Sequence, residues 1–294
     1  MKEIINYYYN INVEEISANA DEYILKSGYL LYLFKPIKIA ERELLDIYYL
    51  TQKYRFKTHQ IVKNINNEYI SLFNEKKYLL LQLVDVQKKV FNNFETINYA
   101  SIDIDEKINI IENKIDYIKL QLKEFYTDKS YINRIADYYI GLAENSIYLY
   151  NKYKNNKDAV KTFQHRRIKY PNYGIKYYDP TNIVVDFRTR DLAEYYKSKH
   201  WHSSEKISIE EVLYELEKNR YNITEVNLFF SRLMYATEFF DIFEKNIQLK
   251  EKYEYNHDFF DKSKEYLIFL KMLNEKLAQK YNLKLIEWIK KEPN

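Results

Sequence analysis

The sequence predicts an α+β fold in two lobes, a small strand-rich lobe over residues 1–85 and a larger helical lobe over 86–294. Two observations carry this expectation. Short apolar and aromatic runs bounded by Gly, Pro and Asn pairs fill the first stretch, which is the pattern of strands and hairpins. From residue 106 onward, apolar residues recur at spacings of three and four, the helical period, broken once by a turn-rich loop and a short apolar strand. A chain of 294 residues, 46% hydrophobic and 30% charged, has enough apolar material to bury a sizeable core.

In chain order, "DEYILKSGYLLYLFKPI" gives two apolar runs separated by Ser27-Gly28, a hairpin signal, and Pro36 ends the second run. "AERELLDIYYLTQKY" places Leu44, Leu45, Tyr48 and Tyr49 at helical spacing. "HQIVKNINNEYISLF" turns at Asn66-Asn67, and "KKYLLLQLV" forms a further strand after Asn74-Glu75. "VQKKVFNNFETINYASIDID" mixes signals, as a hinge or crossover does. Ile108, Ile111, Ile115, Ile118, Leu122 and Phe125 then make one apolar stripe. It falls short of the three or four heptads a coiled coil needs, so it reads as a core helix rather than a partner-binding seam.

"INRIADYYIGLAENSIYLYNKY" reads as a second helix, with Gly141 allowing close packing. "YPNYG" and the strand "IVVDF" interrupt the helices. Ser208 and Glu211 then form a capping-box pattern before "VLYELEKN". Helical segments over 224–248 and 258–291 follow.

Composition limits the function. The 33 Tyr and 16 Phe supply apolar area with polar hydroxyls that need partners, so core and groove walls should be amphipathic. The 46 basic and 43 acidic residues are mixed along the chain, net +3, which argues against a dedicated nucleic-acid binder. With no cysteine there is neither a disulfide framework nor a thiolate metal site, as suits a reducing compartment. The N-terminus meets acidic residues too early for a secretory signal. No apolar run approaches the roughly 18–20 residues of a membrane span. The expected location is cytoplasmic, with no membrane partner.

The stretch "QHRRIKYPNYGIKYYDPTNIVVDF", residues 164–187, has the outline of a phosphotransferase loop and its metal-binding strand. Phosphoryl transfer needs a cation on the nucleotide phosphates, groups that hold magnesium, and a carboxylate that orients the attacking hydroxyl. Lys35 ends an apolar strand and Glu41 or Glu43 begins the next helix. A lysine there reaches phosphates while a helix glutamate holds it, although an ordinary strand-end lysine near surface glutamates reads the same. His165, Asn172 and Asp186 stand at spacings that suit a catalytic loop and a magnesium-binding strand end. Asp186 closes "NIVVDF", where a carboxylate emerges from the core as a metal ligand does. The plainer alternative makes Asp186 a turn residue and Asn172 part of the Pro-Asn-Tyr-Gly turn.

The segments "KTFQHRRIKYPN", "NIVVDFRTRDLAEYYK", "DYYIGLAEN", "FFSRLMYATEFFDIFE" and "THQIVKNINNEYISLFNEKKYLLLQL" together resemble the spore coat kinase-like proteins of endospore-forming bacteria. That group is a branch of the aminoglycoside and choline phosphotransferase-like superfamily, and the resemblance covers most of the chain. It implies a two-lobed protein-kinase-like fold. Active members carry a His-Gly-Asp loop, an asparagine five residues later and a downstream metal-binding aspartate. By resemblance, His165 falls on the histidine, Arg166 on the glycine and Arg167 on the aspartate. Asn172 matches the asparagine, Asp186 the metal-binding aspartate, and Asp191 in "RDLAE" a later structural aspartate.

Arg167 is the departure that matters. Arginine accepts no proton at ordinary pH and sets a fixed positive charge where magnesium and a hydroxyl would meet. Losing a general base commonly costs about 10²–10⁴ in rate. Arg166 adds bulk where glycine lets backbone approach, and Gly28 is the only glycine of the first lobe. These arginines are expected to ion-pair with Asp186, closing the metal site, in preference to binding an external phosphate or carboxylate.

The expected protein is therefore pseudokinase-like, with a structural or interaction role, related to the spore coat or sporulation, and with coat or scaffold proteins as partners. ATP and Mg are the cofactors the fold admits. The competing expectation is an ATP-dependent small-molecule phosphotransferase with an atypical loop, using Asp179 as base. Smaller signals are "HWH", His200 to His202, which lacks a third metal ligand and reads as a polar loop around Trp201. "HRRIKYPNYGIKYY" interleaves basic and aromatic residues as single-strand binders do, but an aromatic-rich chain produces such mixing readily. His59 and His257 read as isolated.

Overall fold

A computed structural model describes residues 2–19, 21–89, 131–170, 172–248 and 257–290. The chain divides into two compact units, one formed by 1–90 and 172–184, the other by 91–171 and 185–294. Residues 172–184, which a boundary at 85 assigns to the helical lobe, thus cluster with the first unit. The apolar stripe over 108–125 lies outside the described residues.

The first unit begins with helix α1 (Lys2–Tyr9), unforeseen in the sequence, followed by strands β1 (Glu14–Asn19), β2 (Glu22–Ser27) and β3 (Leu30–Pro36). Helix α2 (Glu41–Lys53) and strands β4 (Gln60–Val62), β5 (Ser71–Phe73), β6 (Lys76–Gln82) and β7 (Lys88–Lys89) come next. The main sheet is antiparallel in the order β1-β2-β3-β6-β4, with β5 also pairing β6. Gly28 supplies the left-handed backbone of the β2–β3 turn, φ 57°, where a side chain would be strained.

Period-two alternation sorts β3 and β6 into two faces. Tyr32, Phe34, Tyr78 and Leu80 pack with Ile5 and Tyr9 of α1 on one face. Leu33, Leu79 and Leu81 pack with Leu44 of α2 on the other. The sheet therefore lies between two helices, and Lys35, two residues after Leu33, falls on the α2 face.

Helix α3 (Tyr131–Tyr153) and strand β8 (Lys161–His165) belong to the second unit. The chain then returns to the first through strand β9 (Asn172–Tyr173), the single turn α4 (Gly174–Tyr177) and a 3₁₀ turn (Pro180–Asn182). Strand β10 (Ile183–Phe187), which pairs with β8, leads out of it. Helices α5 (Arg190–His202), α6 (Ile209–Lys218), α7 (Ile223–Met234), α8 (Thr237–Gln248), α9 (His257–Tyr281) and α10 (Glu287–Lys290) complete the described chain. Their core is aromatic, with Tyr139 stacked on Phe239 at 3.9 Å and Tyr266 fully buried.

The Tyr139 and Tyr266 hydroxyls donate to the Ser263 and Leu233 carbonyls at 2.9 and 2.7 Å, as buried tyrosine requires. Ser208 caps α6 by accepting from the Glu211 amide at 3.3 Å. The full reciprocal box forms at α7, where Asn222 and Glu225 exchange bonds.

Candidate functional site

In the second unit, the end of β10 and the start of α5 bring the loop and its aspartates together. His165 ends β8 and is locked by Asp191, whose two carboxylate oxygens accept from the His165 amide at 2.7 Å and meet Nδ1 at 2.6 Å. The Asp191 amide in turn donates to Gln164 Oε1 at 2.8 Å. Asp191 thus holds the loop's entry strand. Its neighbour Arg190 donates through Nε to the His165 carbonyl at 2.7 Å and through NH2 to the Arg166 carbonyl at 3.2 Å.

Asp186 has only 2% of its side chain exposed, so its charge needs compensation from protein groups. Cations of the following helix and of α7 meet it. Oδ2 pairs with Arg190 and with Arg232 NH1, the latter at 3.3 Å, while Oδ1 accepts from the Phe187 amide at 2.7 Å. Arg167 pairs with Asp241 of α8 at 2.9 Å, half exposed to solvent. Arg190, four residues beyond Asp186 at the start of α5, also spans the loop carbonyls, so it reaches the carboxylate from a fixed base.

Arg232 links this pair to a deeper one. Its Nε donates to Glu194 Oε1 at 2.9 Å, and Lys197 Nζ donates to the same oxygen at 2.7 Å. Lys197 spends its other two donors on the Tyr235 carbonyl at 3.2 Å and Thr237 Oγ1 at 2.9 Å. Burial alone would raise the Glu194 carboxyl, but Lys197, Arg232 and Arg190 outweigh it and hold it low. Burial lowers the Lys197 ammonium and raises the Glu238 carboxyl. Among the described residues, no group of three or more His, Asp or Glu is arranged to hold a metal ion.

In the first unit, Lys35 pairs not with the α2 glutamates but with Asp179. Nζ donates to Asp179 Oδ2 at 2.5 Å and to Thr181 Oγ1 at 3.1 Å. Glu41 pairs with Lys77 at 2.9 Å, and Glu43 lies in the first turn of α2. Asp179 Oδ1 accepts from the Thr181 amide and hydroxyl at 2.9 and 2.7 Å, capping the 3₁₀ turn. A carboxylate so engaged is a poor candidate for a mobile base. Asn172 lies in β9, whose backbone pairs with β7.

His59, read as isolated, is fully buried and knits the first unit together. Its Nδ1 accepts from the Val84 amide at 3.1 Å and its Nε2 meets the Ile175 carbonyl at 3.0 Å, which fixes the Nε2–H tautomer. Its own amide donates to the Tyr178 carbonyl at 2.7 Å. "HWH" ends helix α5 rather than forming a loop, and His200 Nε2 hydrogen-bonds the Lys262 carbonyl at 2.7 Å. His257 is the first residue of α9.

The sequence reading missed Arg190, Glu194, Lys197 and Arg232. The first three do carry a signal, a run of alternating charge at spacings of four and three from Asp186. Arg232 stands alone in the apolar run "FFSRLM", where a charge demands a buried partner.

Comparison with known proteins now decides the affiliation. A profile of the family described as Spore coat putative kinase YutH matches residues 107–273, more than half of the chain. The chain belongs to that family. No curated protein matches this YutH-family chain. Among solved structures it is similar to an aminoglycoside phosphotransferase from Alicyclobacillus acidocaldarius, with TM-score 0.56 and 12% identity over 95% of this chain and 97% of that one. It is also similar to the AMP-bound complex of spectinomycin phosphotransferase, with TM-score 0.57 and 12% identity over 98% and 96% of the two chains. Amicoumacin kinase in complex with AMP-PNP, Ca2+ and Ami gives TM-score 0.52 and 13% identity over 93% and 92%. At these identities the shared property is the fold: an α+β, aminoglycoside phosphotransferase-type kinase-like fold. No helix among the described residues is long and apolar enough to cross a membrane.

Proposed function

We propose that this YutH-family chain is a catalytically degenerate kinase-like protein with a structural or interaction role in the spore coat. The observation that carries the reading is the pairing of Asp186, matched to a metal-binding aspartate, with both Arg190 and Arg232. A divalent cation seeks hard oxygen ligands with uncompensated negative charge. Two guanidiniums on one carboxylate leave a locally cationic group, so magnesium does not fit Asp186 as it is placed.

Two further substitutions of role support the same reading. Arg167 occupies the position matched to the acid, where it accepts no proton. Lys35, the cation matched to nucleotide phosphates, is engaged by Asp179. The charges that transfer would use are each neutralised within their own unit. Family membership supports the coat assignment, with coat or scaffold proteins as partners and the cytoplasm or the spore coat as its location. ATP enters this reading only as a ligand without turnover.

A thermal-shift titration with ATP, with and without magnesium, tests it. The expected result is no magnesium-dependent stabilisation. Strong magnesium-dependent stabilisation that disappears in Asp186→Asn would return the chain to the enzymes.

A further inference from the structure

We infer that His59 pins a strap, residues 172–178, to the segment 83–87 of the first unit, and that uptake of one proton on the His59 ring releases the two from each other. The device lies within the first unit and is independent of whether the chain transfers phosphate.

The strap comes from far along the chain yet clusters with residues 1–90. Its close approach requires Gly174. A side-chain carbon there would lie 2.7 Å from the Asp85 carbonyl oxygen, so only glycine fits without a shift of the backbone. The Gly174 amide donates to the Gln87 carbonyl at 2.8 Å, and β9, just before it, pairs with β7. Ile175 packs against the cluster of Leu33, Leu44 and Leu79.

His59 sits between the two segments with no exposed surface. Its ring spends both nitrogens on backbone groups. Nδ1 accepts from the Val84 amide at 3.1 Å, and Nε2–H donates to the Ile175 carbonyl at 3.0 Å. Only the neutral ring serves both, because the imidazolium carries a proton on each nitrogen and accepts at neither. A proton arriving at Nδ1 sets two donors against each other, and the Val84 contact has to open.

The surroundings do not rescue the charged ring where it stands. Burial disfavours it more than the Ile175 carbonyl, Asp179 and Asp85 favour it. Both acids already face cations: Asp179 pairs with Lys35, and Asp85 with Lys57, which stands over the Tyr178 ring at 4.6 Å. The Tyr178 ring itself meets the imidazole edge-on at 6.0 Å. The released form takes up its proton near the ordinary histidine value of about 6.5, and the pinned form only below it. Release is therefore independent of pH above about 6.5 and grows by at most about tenfold for each pH unit below it.

The experiment is amide hydrogen exchange of the full chain at pH 7.5 and 5.5, each rate corrected for the intrinsic pH dependence of exchange. Protection over residues 84–87 and 173–178 should fall about three- to tenfold at the lower pH, while strands β2 and β3 keep theirs. His59→Gln retains a side-chain acceptor and donor but does not titrate, so its protection of the two stretches should be the same at both pH values. Equal protection of the wild-type chain at the two pH values overturns the proposal, as does a loss of the same size in His59→Gln. Should His59→Gln not fold, the wild-type chain still decides: loss confined to the two stretches upholds the pin, and loss shared by β2 and β3 overturns it.

Discussion

Replacing Arg232 by methionine removes a side chain that touches both Asp186 and Glu194. Its guanidinium lies 3.3 Å from Asp186 and 2.9 Å from Glu194, and each carboxylate is 2% exposed. Methionine keeps an apolar stem of similar reach, so the loss is chiefly electrostatic. Breaking a buried pair by removing one partner costs about 3–5 kcal/mol, because the remaining charge stays buried without compensation. Here each acid retains a second cation, Arg190 for Asp186 and Lys197 for Glu194, which places the expectation at the lower end, about 3 kcal/mol. At 1.4 kcal/mol per tenfold, that is roughly a 150-fold change in the unfolding equilibrium. With a urea slope of about 2–3 kcal/mol per molar, the midpoint should fall by about 1 M. Both tryptophans, Trp201 and Trp288, lie in the second unit, so tryptophan fluorescence reads the melting of that unit. Arg167→Met is the control: its pair with Asp241 is exposed on both sides and should cost less than about 1 kcal/mol. Equal midpoints for the two variants would refute the claim that Arg232 compensates buried acids.

Other outcomes follow from the same geometry. Gly141→Ala sets a methyl carbon 2.2 Å from the Trp288 ring, so the indole must move and its bond to the Tyr138 carbonyl must break. The roughly 1 kcal/mol helix preference for alanine should not recover the loss, and a net fall of about 1–3 kcal/mol with red-shifted tryptophan emission is expected. Burial lowers His59, outweighing the opposing pull of the Ile175 carbonyl and of Asp179 and Asp85. Above about pH 6.5 the folded and unfolded histidines are both neutral, and below it the unfolded chain binds a proton that the folded chain resists. Stability should therefore fall as pH drops below about 6.5, by at most about 1.4 kcal/mol per pH unit for this one proton. In His59→Gln, urea curves followed by circular dichroism should show a shallower slope, and an unchanged slope would exclude His59 as the source. Arg167→Asp restores an acid to the loop but leaves Asp186 paired, so no transfer of phosphate from ATP should appear in a radiolabel assay.

Much of the first unit was legible because strands announce themselves locally. The hairpin at Ser27-Gly28, the helix from Glu41 and the turn at Asn66-Asn67 each rest on neighbours in sequence. His165 and Asp191, 26 positions apart, meet in the structure. What escaped was long-range. Lys35 and Asp179 are 144 positions apart, and nothing in either segment favours Asp179 over the nearby Glu41 or Glu43. The pair of Asp186 with Arg232 was not foreseen because Arg232 comes from another helix, 46 positions away. "HWH" reads in the sequence as a polar loop, whereas it closes the helix Arg190–His202. Helix α1 is short and rich in tyrosine, so its buried Ile5 and Tyr9 left little periodic trace.

The pattern that unites the two units is self-neutralisation: a carboxylate on the lysine in one, two guanidiniums on the aspartate in the other. The proposed loss of catalysis rests on these pairings, since fold alone does not fix role. The most direct measurement is transfer of the terminal phosphate of ATP, in the presence of magnesium, to water or to a panel of small hydroxylated and amino-bearing acceptors, comparing wild type with Asp186→Asn. The account predicts that both chains give the same background rate. Transfer by the wild-type chain that vanishes in Asp186→Asn would contradict it.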